Sequence, residues 1–412
     1  MSKAFTAPGK ALLAGGYLVL DPIYDAYVTA LSSRMHAIIT EKESIIQNSL
    51  ISISSPQFKN GNWQYKIEDN KPIEVNNLKN PFIESILFII LSYFQPTTNF
   101  NLEIKIFSDP GYHSQENTTS KTSSNGKLTF LYHDRSITEV EKTGLGSSAG
   151  LVSVITAALV SYFKVEIISY LDFIHNIAQI AHCLAQKKIG SGFDIATAIY
   201  GSIIYQRFEP KILDNLFETL ENKPQEFNEK LRNCVNSNWN FKHVSRALPS
   251  NLTLLMGDIK NGSETPKLVS KILQWRKDKP KEAETVYEQL NAANMTFMDS
   301  LKSGDNKHIS NSIYAIRKNL QILTKLSGVP VEPAIQTELL DKIALIDGCL
   351  GGVVPGAGGF DAIAVLVESD KVEYFKKTTE ADVNNYNNVY WVNLHEESNG
   401  LIEENLENYV GL

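Results

Sequence analysis

Residues 141–163 read EKTGLGSSAGLVSVITAALVSYF, a cluster of glycine and serine followed by a long apolar segment. The apolar segment predicts a buried helix over 147–163. Glycine lets backbone N–H groups come close to a ligand, and a helix N-terminus adds unpaired N–H groups and a partial positive charge. The stretch therefore predicts an anion-binding loop at the start of a helix, most often a phosphate site.

Two other kinds of nucleotide loop fit this stretch less well. GLGSSA matches the dinucleotide fingerprint G-x-G-x-x-A, with Glu166 near the acidic position. That fingerprint follows a buried parallel strand, and the preceding SITEVEKT is too polar for one. The GK[ST] of a Walker loop is missing, as are the protein-kinase signatures. The sequence favours a phosphate loop of another type.

Composition bounds the class of protein. The 412 residues, 43% hydrophobic and 21% charged, predict a globular chain of two domains. A net charge of −7 argues against broad binding to nucleic acid or anionic membranes. The three cysteines have no C-x-x-C spacing, which argues against a zinc site or disulfide framework and suits a reducing compartment. The N-terminus lacks a signal-peptide pattern, and the longest apolar runs are shorter than the roughly 20 residues that span a bilayer. We expect a cytoplasmic protein.

The order of strand-like and helix-like segments suggests where the domains divide. We expect an N-terminal domain over 1–210 and a C-terminal domain over 211–412, with a polar insertion at about 211–249. The Ser/Thr/Asn/Gly-rich segment 110–127 is long for a connection, so it is either functional or partly disordered. The predicted helices are 81–94, 147–163, 169–188, 265–278, 281–302, 307–327 and 332–346.

Two further glycine loops flank the opening stretch. The first, APGKALLAGGYLVLD at 7–21, carries Lys10 as a lone cation in an apolar strand; alone, it is most simply a surface lysine. The second, PGAGGFDA at 355–362, lies between two apolar runs; alone, it is most simply a hairpin turn.

Together, the three loops resemble in order and spacing the three signature motifs of the GHMP kinases, from Ala4 to about Val367. The resemblance implies an α+β, two-domain GHMP kinase fold: an N-terminal nucleotide-binding α/β domain with helices on one sheet face, and a C-terminal ferredoxin-like α+β domain. The active site would lie between them. The stretches GSGFDIATAIYGS at 190–202 and GVVPGAGGFDAIAVL at 352–366 are most similar to the branch of the family whose acceptor is (R)-5-phosphomevalonate.

The resemblance also implies the activity, an ATP- and Mg²⁺-dependent transfer of phosphate to a phosphate group. Small-molecule substrates and a monomer are expected, without nucleic-acid or membrane partners. Two alternatives stay open. One is another enzyme of the family, such as mevalonate kinase or diphosphomevalonate decarboxylase; the other is a non-catalytic sensor with the same fold.

The nucleotide site follows from the central motif. By resemblance, the ATP phosphates would be wrapped by Gly144, Leu145, Gly146, Ser147, Ser148, Ala149 and Gly150. Ser147 and Ser148 would supply hydroxyl ligands to Mg²⁺, because hard cations prefer oxygen; helix capping is their alternative role. The segment Tyr112, His113, Ser114 and Gln115 would close over the base. The sequence departs from the family at two places: Val140 or Glu141 replaces a proline, and Cys183 stands where mevalonate kinases carry a magnesium-binding glutamate.

Lys10 and Asp194 are the expected catalytic residues, Asp194 by its position in the family motif. A phosphomonoester has a second pKa of about 6, so it attacks largely deprotonated and needs no strong base. Two unit charges about 4 Å apart repel by roughly 4 kcal/mol at an effective dielectric of 20. We therefore expect Lys10 to bridge the two anions and to contribute more than Asp194, which would orient Lys10 or the acceptor.

The acceptor site draws on all three loops and on a lysine-bearing segment at 257–271. The expected acceptor-binding residues are Lys10, Tyr17, Ser191, Gly192, Lys260, Ser263, Thr265, Arg317, Gly356, Ala357, Gly358, Gly359 and Asp361. His182, between Gln179 and Gln186 on one helical face, is expected to be structural rather than catalytic.

Overall fold

The computed structural model describes residues 1–43, 49–164, 170–259, 265–387 and 389–412. The strands are β1 (Ser2–Ala14), β2 (Asp25–Glu41), β3 (Ser49–Ser54), β4 (Asn62–Glu68), β5 (Lys71–Glu74), β6 (Asn101–Ser108), β7 (Thr118–Thr122), β8 (Thr129–His133), β9 (Ile203–Gln206), β10 (Lys242–Ser245), β11 (Leu252–Asp258), β12 (Cys349–Val353), β13 (Ala362–Glu368), β14 (Tyr390–Trp391), β15 (Glu396–Glu397) and β16 (Ile402–Glu404). The helices are α1 (Pro81–Phe94), α2 (Ser147–Phe163), α3 (Leu171–Gln186), α4 (Phe193–Tyr200), α5 (Lys211–Asn222), α6 (Phe227–Asn236), α7 (Thr265–Asp278), α8 (Pro280–Ser303), α9 (Asn306–Ser327), α10 (Ala334–Ile343) and α11 (Val372–Ala381).

A large mixed sheet is built around the long strands β1 and β2. Its order is β10-β9-β2-β6-β3-β4-β5, with β1 and β15 also paired to β2 and β16 paired to β1. Only β3 and β6 run parallel among the described strand pairs of this sheet. The register of β1 against β2 shifts between Pro8 and Gly9. Proline cannot donate to the ladder, and a bulge re-aims the side chains that follow it. The shift lies just before Lys10.

The first four helices form a layer against this sheet. α2 and α4 contact β1, and α1 and α3 pack beside α2. Most of α2 is buried, including Val152, Ile155 and Leu159. A helix without a charged face fits such a site because it is covered on nearly all sides.

A second sheet of four antiparallel strands follows, in the order β12-β13-β11-β14. In chain order its elements alternate as strand, helices, strand, strand, helix, strand, with α7 to α10 between β11 and β12 and α11 between β13 and β14. This is the ferredoxin-like arrangement that the resemblance implied. The expected α+β architecture is confirmed.

Some local expectations differ from the structure. Within 110–127 the chain forms a short 3₁₀ turn at Pro110–Tyr112, then β7, which pairs with β8 as a hairpin. The polar stretch 211–249 contains α5, α6 and β10, and β10 joins the first sheet through β9. The C-terminal β15 and β16 also return to the first sheet. The domain boundary near residue 210 stays a prediction.

Across the described ranges, no helix is both long enough and apolar enough to cross a membrane.

Candidate active site

The glycine loop before α2 leaves the N-terminus of the helix without a side-chain cap in the described part of the chain. Gly144 and Gly146 have φ of 76° and 85°, a left-handed backbone that glycine adopts without steric cost. Gly146 occupies the N-cap position, and among the described residues no side chain caps α2. The first turn carries no acidic residue. The helix therefore presents N–H groups and positive partial charge to any bound anion.

Lys10 of strand β1 holds this loop through two hydrogen bonds. The backbone N–H of Lys10 donates to the Leu145 carbonyl at 3.1 Å, and the Lys10 ammonium donates to the Gly144 carbonyl at 2.9 Å. A Cβ on Gly146 would lie 3.2 Å from Lys10 Cε, so this glycine makes room for the lysine chain. The first and second motifs thus meet through Lys10.

Desolvation lowers the pKa of Lys10, and the negative charge of Asp194 opposes that shift. The lysine is half-buried, and its amine lies 5.7 Å from the centre of the Phe193 ring. A cation placed where it is poorly hydrated interacts strongly with anions that enter the same space. This is no surface lysine.

Asp194 lies in the first turn of α4, whose N-cap is Gly192. One carboxylate oxygen accepts from the N–H of Ile195 at 3.0 Å, and the other lies 3.9 Å from Nε2 of His182. Gly192 has a φ of 85°, and a Cβ there would lie 2.7 Å from the Tyr205 hydroxyl. That hydroxyl donates to the Ser191 carbonyl at 2.8 Å. The turn before Asp194 is therefore tightly packed.

The two serines of the second motif occupy the first helical positions, after the N-cap, so neither caps α2. The Ser148 hydroxyl lies 3.1 Å from Nε2 of His182. The Ser147 hydroxyl has no hydrogen-bond partner within the described part of the chain and stays free for a ligand.

The third glycine loop joins the first. The N–H of Gly356 donates to the Leu12 carbonyl at 3.3 Å, and the Tyr17 hydroxyl donates to the Ala357 carbonyl at 2.5 Å. Tyr17 is 3% exposed, so its hydroxyl is committed to the loop. A Cβ on Gly358 would lie 2.0 Å from the Val331 carbonyl oxygen, which explains glycine there. Gly359 donates to the same carbonyl at 3.1 Å. All three motifs therefore converge.

Asp361 follows this loop and directly precedes β13. One oxygen of its carboxylate is buried without a hydrogen-bond partner in the described chain. Its backbone carbonyl accepts from Ile259 at 2.7 Å. The carboxylate is therefore left with an unmet bond at the edge of the third motif.

Arg317 differs from its predicted role. It is 4% exposed and donates to Glu332 at 2.9 Å, to Asp341 at 2.7 Å and to the Thr337 carbonyl at 3.2 Å. A guanidinium with these internal partners is not available to an acceptor, because releasing Arg317 would leave the buried carboxylate of Glu332 without its counter-charge. The prediction of an acceptor contact is corrected to an internal ion pair.

Three of the other predicted acceptor residues have side chains outside the part of the chain that the structure describes. Lys260 and Ser263 lie outside the described residues, and Thr265 is the first residue of α7, with its side chain also outside the description. Their acceptor roles stay predictions.

The segment 112–115, which the sequence predicts to close over the base, packs against residues 141–143 just before the second glycine loop. The Tyr112 carbonyl accepts from Thr143 at 3.2 Å, and the N–H of Ser114 donates to Glu141 at 2.9 Å. Desolvation, then Lys142, lowers the pKa of His113 to about 4, so its imidazole is neutral. The Gln115 carbonyl accepts from Thr118 at 2.9 Å. Contact with a base stays a prediction.

Arg207 is a site residue that sequence reasoning missed. Its guanidinium donates to the carbonyls of Leu20 and Gly190, each at 2.6 Å. It thereby ties the end of the first motif to the turn before Asp194. Desolvation lowers the pKa of Arg207, although a guanidinium stays charged. A lone arginine after a short strand gives no sequence signal for this role.

Comparison with known proteins now decides the family. Residues 131–202 match the GHMP kinases N terminal domain. A phosphomevalonate kinase of Candida albicans is 58% identical over 432 aligned residues, covering 100% of both chains. The chain belongs to the phosphomevalonate kinase family.

Two further phosphomevalonate kinases are similar along their whole length. That of Gibberella zeae is 35% identical, covering 99% of this chain and 98% of its own. A Streptococcus pneumoniae phosphomevalonate kinase, solved with phosphomevalonate and AMPPNP, superposes with a TM-score of 0.66 at 18% identity, covering 96% and 99% of the two chains. At that identity, the likeness supports the fold of the phosphomevalonate kinase family.

Proposed function

We propose that this chain transfers the γ-phosphate of ATP to the phosphate of (R)-5-phosphomevalonate. The product is 5-diphosphomevalonate, in the mevalonate route to isoprenoids and sterols. The observation that carries the proposal is that the first glycine loop is joined to the other two and that its desolvated cation, Lys10, lies against the second, in a chain of this family.

ATP phosphates bind at the start of α2. The loop glycines let the backbone approach the phosphates, and the uncapped helix end supplies N–H donors. Lys10 lies beside this loop through its bond to Gly144. It lies between the γ-phosphate and the acceptor phosphate and cancels part of their repulsion, which is what phosphoryl transfer demands of a protein.

Mg²⁺ fits the serines of this loop better than a carboxylate cage. Within the described ranges, no three carboxylate, imidazole or thiol groups lie together as a metal site. Mg²⁺ is commonly held by few protein oxygens together with phosphates and water. The hydroxyls of Ser147 and Ser148 are the protein oxygens for it. When bound, the ion neutralises charge on the phosphates.

The acceptor lies toward the third motif and the turn at Ser191 and Gly192. Since its phosphate is mostly deprotonated near neutral pH, Asp194 orients Lys10 and the acceptor instead of removing a proton. Asp361, which follows the third motif and has a carboxylate oxygen without a partner in the described chain, is the further polar contact in this proposal.

An acceptor panel tests the proposal. ADP release from the purified chain with ATP and Mg²⁺ is measured against mevalonate, 5-phosphomevalonate and 5-diphosphomevalonate. Release with 5-phosphomevalonate is expected, and Lys10→Met should lower its rate by about 100- to 1,000-fold. Turnover of mevalonate or of 5-diphosphomevalonate instead would assign another GHMP reaction. ATP binding without any turnover would indicate a sensor.

The setting of the enzyme is part of the proposal. We place it in the cytoplasm, a reducing compartment that suits three cysteines forming no disulfide with one another, and as a monomer. Light scattering of the purified chain checks the monomer, and fluorescence of a tagged chain in cells checks the location.

A further inference from the structure

His182 lies between the phosphate loop and Asp194. It belongs to α3, is 3% exposed, and stacks on Phe82 with ring centres 5.7 Å apart. Its Nε2 lies 3.1 Å from the Ser148 hydroxyl and 3.0 Å from the side-chain amide nitrogen of Gln186. A buried imidazole with two polar neighbours on one nitrogen has a defined bonding role.

The neighbours determine which way the hydrogen bonds run. An amide nitrogen only donates, so Gln186 makes Nε2 of His182 an acceptor and leaves the ring proton on Nδ1. The 3.9 Å to Asp194 is too long for a hydrogen bond.

Because Nε2 of His182 carries no proton, the Ser148 hydroxyl can only be the donor in this pair, and it shares the single Nε2 lone pair with the Gln186 amide. A hydroxyl has one proton and two lone pairs, so this bond turns the lone pairs away from the imidazole. Ser148 is the second residue of α2, so its oxygen lies beside the helix N-terminus where the phosphates bind. Free rotation of the hydroxyl would present its proton or its lone pairs at random.

We propose that His182 is a positioning residue that fixes the Ser148 hydroxyl with its lone pairs toward the Mg²⁺–nucleotide. The inference rests on the proposed function for the identity of that ligand. It goes beyond the sequence-based expectation that His182 is purely structural. In the structural alternative, His182 only fills space between α1, α2 and α3, and Ser148 acts independently of it.

Binding of AMPPNP with Mg²⁺, measured by calorimetry on the full chain, separates the two. His182→Phe keeps an aromatic ring against Phe82 but cannot accept a hydrogen bond. His182→Gln places an amide oxygen at about the distance of Nε2. His182→Phe should weaken binding about tenfold, the scale of one hydrogen bond, and His182→Gln should recover most of it.

A double-mutant cycle with Ser148→Ala tests the coupling. Once the serine hydroxyl is gone, His182→Phe should weaken binding no further. Losses that multiply in the double variant would overturn the proposal, as would wild-type affinity in His182→Phe. If that variant fails to fold, His182→Asn replaces it, because its amide is too short to reach Ser148 while His182→Gln is long enough.

Two controls keep the outcomes distinct. His175→Phe changes a buried histidine of the same helix, stacked on Phe241 with ring centres 4.4 Å apart, and should leave AMPPNP affinity unchanged. The binding assay needs no acceptor. A chain that follows the predicted cycle but phosphorylates none of the acceptors would keep the role of His182 and lose the proposed function. A chain that phosphorylates 5-phosphomevalonate but does not follow the predicted cycle would keep the proposed function and lose the role of His182.

Discussion

Lys10 carries its charge where burial disfavours charge. Desolvation lowers the pKa of Lys10 from 10.5, and Asp194 only partly opposes this. Between the lowered value and 10.5, the unfolded chain holds the proton that the folded chain has lost. The contribution of Lys10 to the free energy of unfolding therefore rises with pH in that window. The ammonium needed for ATP is lost in the same window, so kcat/KM for ATP should fall.

Substitution separates these effects. Lys10→Met should lower turnover by about 100- to 1,000-fold, because one aligned electrostatic contact is lost from the transferring group. Asp194→Asn should cost less, since the acceptor needs no strong base. Steady-state kinetics of both variants from about pH 7 to about pH 10 checks the ranking. The charge-preserving variant Lys10→Arg should move the alkaline fall to higher pH. A larger loss in the aspartate variant would reverse the assignment.

The residues that the sequence predicted and those that it missed differ in how they are recognised. Lys10, Ser147 and Gly358 stand in glycine-rich motifs, whose residue types state a local chemistry. Arg207 acts through contacts with carbonyls distant in sequence, and these depend on the tertiary fold. Arg317 has the composition of an anion-binding residue, but Glu332 and Asp341 neutralise it. A single sequence gives no access to such pairs.

At the scale of elements, periodic apolar segments were predictable and short polar ones were not. α2 and α7 begin and end at the predicted residues, and α8 and α9 lie within one residue of them. The hairpin of β7 and β8 was missed because β7, TTSKT, is mostly exposed and has no apolar alternation. β15 and β16 have two and three residues and exist only by pairing with distant strands.

The Tyr17 hydroxyl makes the shorter of the two hydrogen bonds that join the first and third motifs. Tyr17→Phe removes the donor to the Ala357 carbonyl and leaves the ring in place. We expect a loss of about 1 kcal/mol in the free energy of unfolding and a higher KM for the acceptor, because the third loop loses its anchor. Tyr65→Phe is the matched control. Its hydroxyl is buried without a hydrogen-bond partner in the described chain, so removal should be near neutral. Denaturant unfolding and acceptor kinetics measure both, and equal effects in the two variants would contradict the anchoring role.

At the scale of the whole molecule, the C-terminal segment that contains β15 and β16 returns to the first sheet and pairs with β2 and β1. The guanidinium of Arg34, 8% exposed, donates to Glu397 at 2.8 Å and to the Gly400 carbonyl at 2.5 Å. The N–H of Leu401 donates to the Ile199 carbonyl near the end of α4 at 3.1 Å. The returning segment thus supports the helix that begins beside Asp194, so stability and site geometry share one set of contacts.

Arg34→Met should therefore cost about 3–5 kcal/mol in the free energy of unfolding, because Glu397 would be left without its partner and the carbonyls of Thr6, Asn399 and Gly400 without this donor. Lys3→Met is the matched control: Lys3 joins Glu403 of the same returning segment at 3.7 Å, but on the surface. A surface pair contributes about 1 kcal/mol or less. Urea unfolding of both variants measures the difference, and limited proteolysis should release the C-terminal segment from Arg34→Met first. If the two variants lost equal stability, the buried contacts of Arg34 would not be what holds the C-terminal segment to the first sheet, and the pairing of β15 with β2 and of β16 with β1 would have to hold it instead.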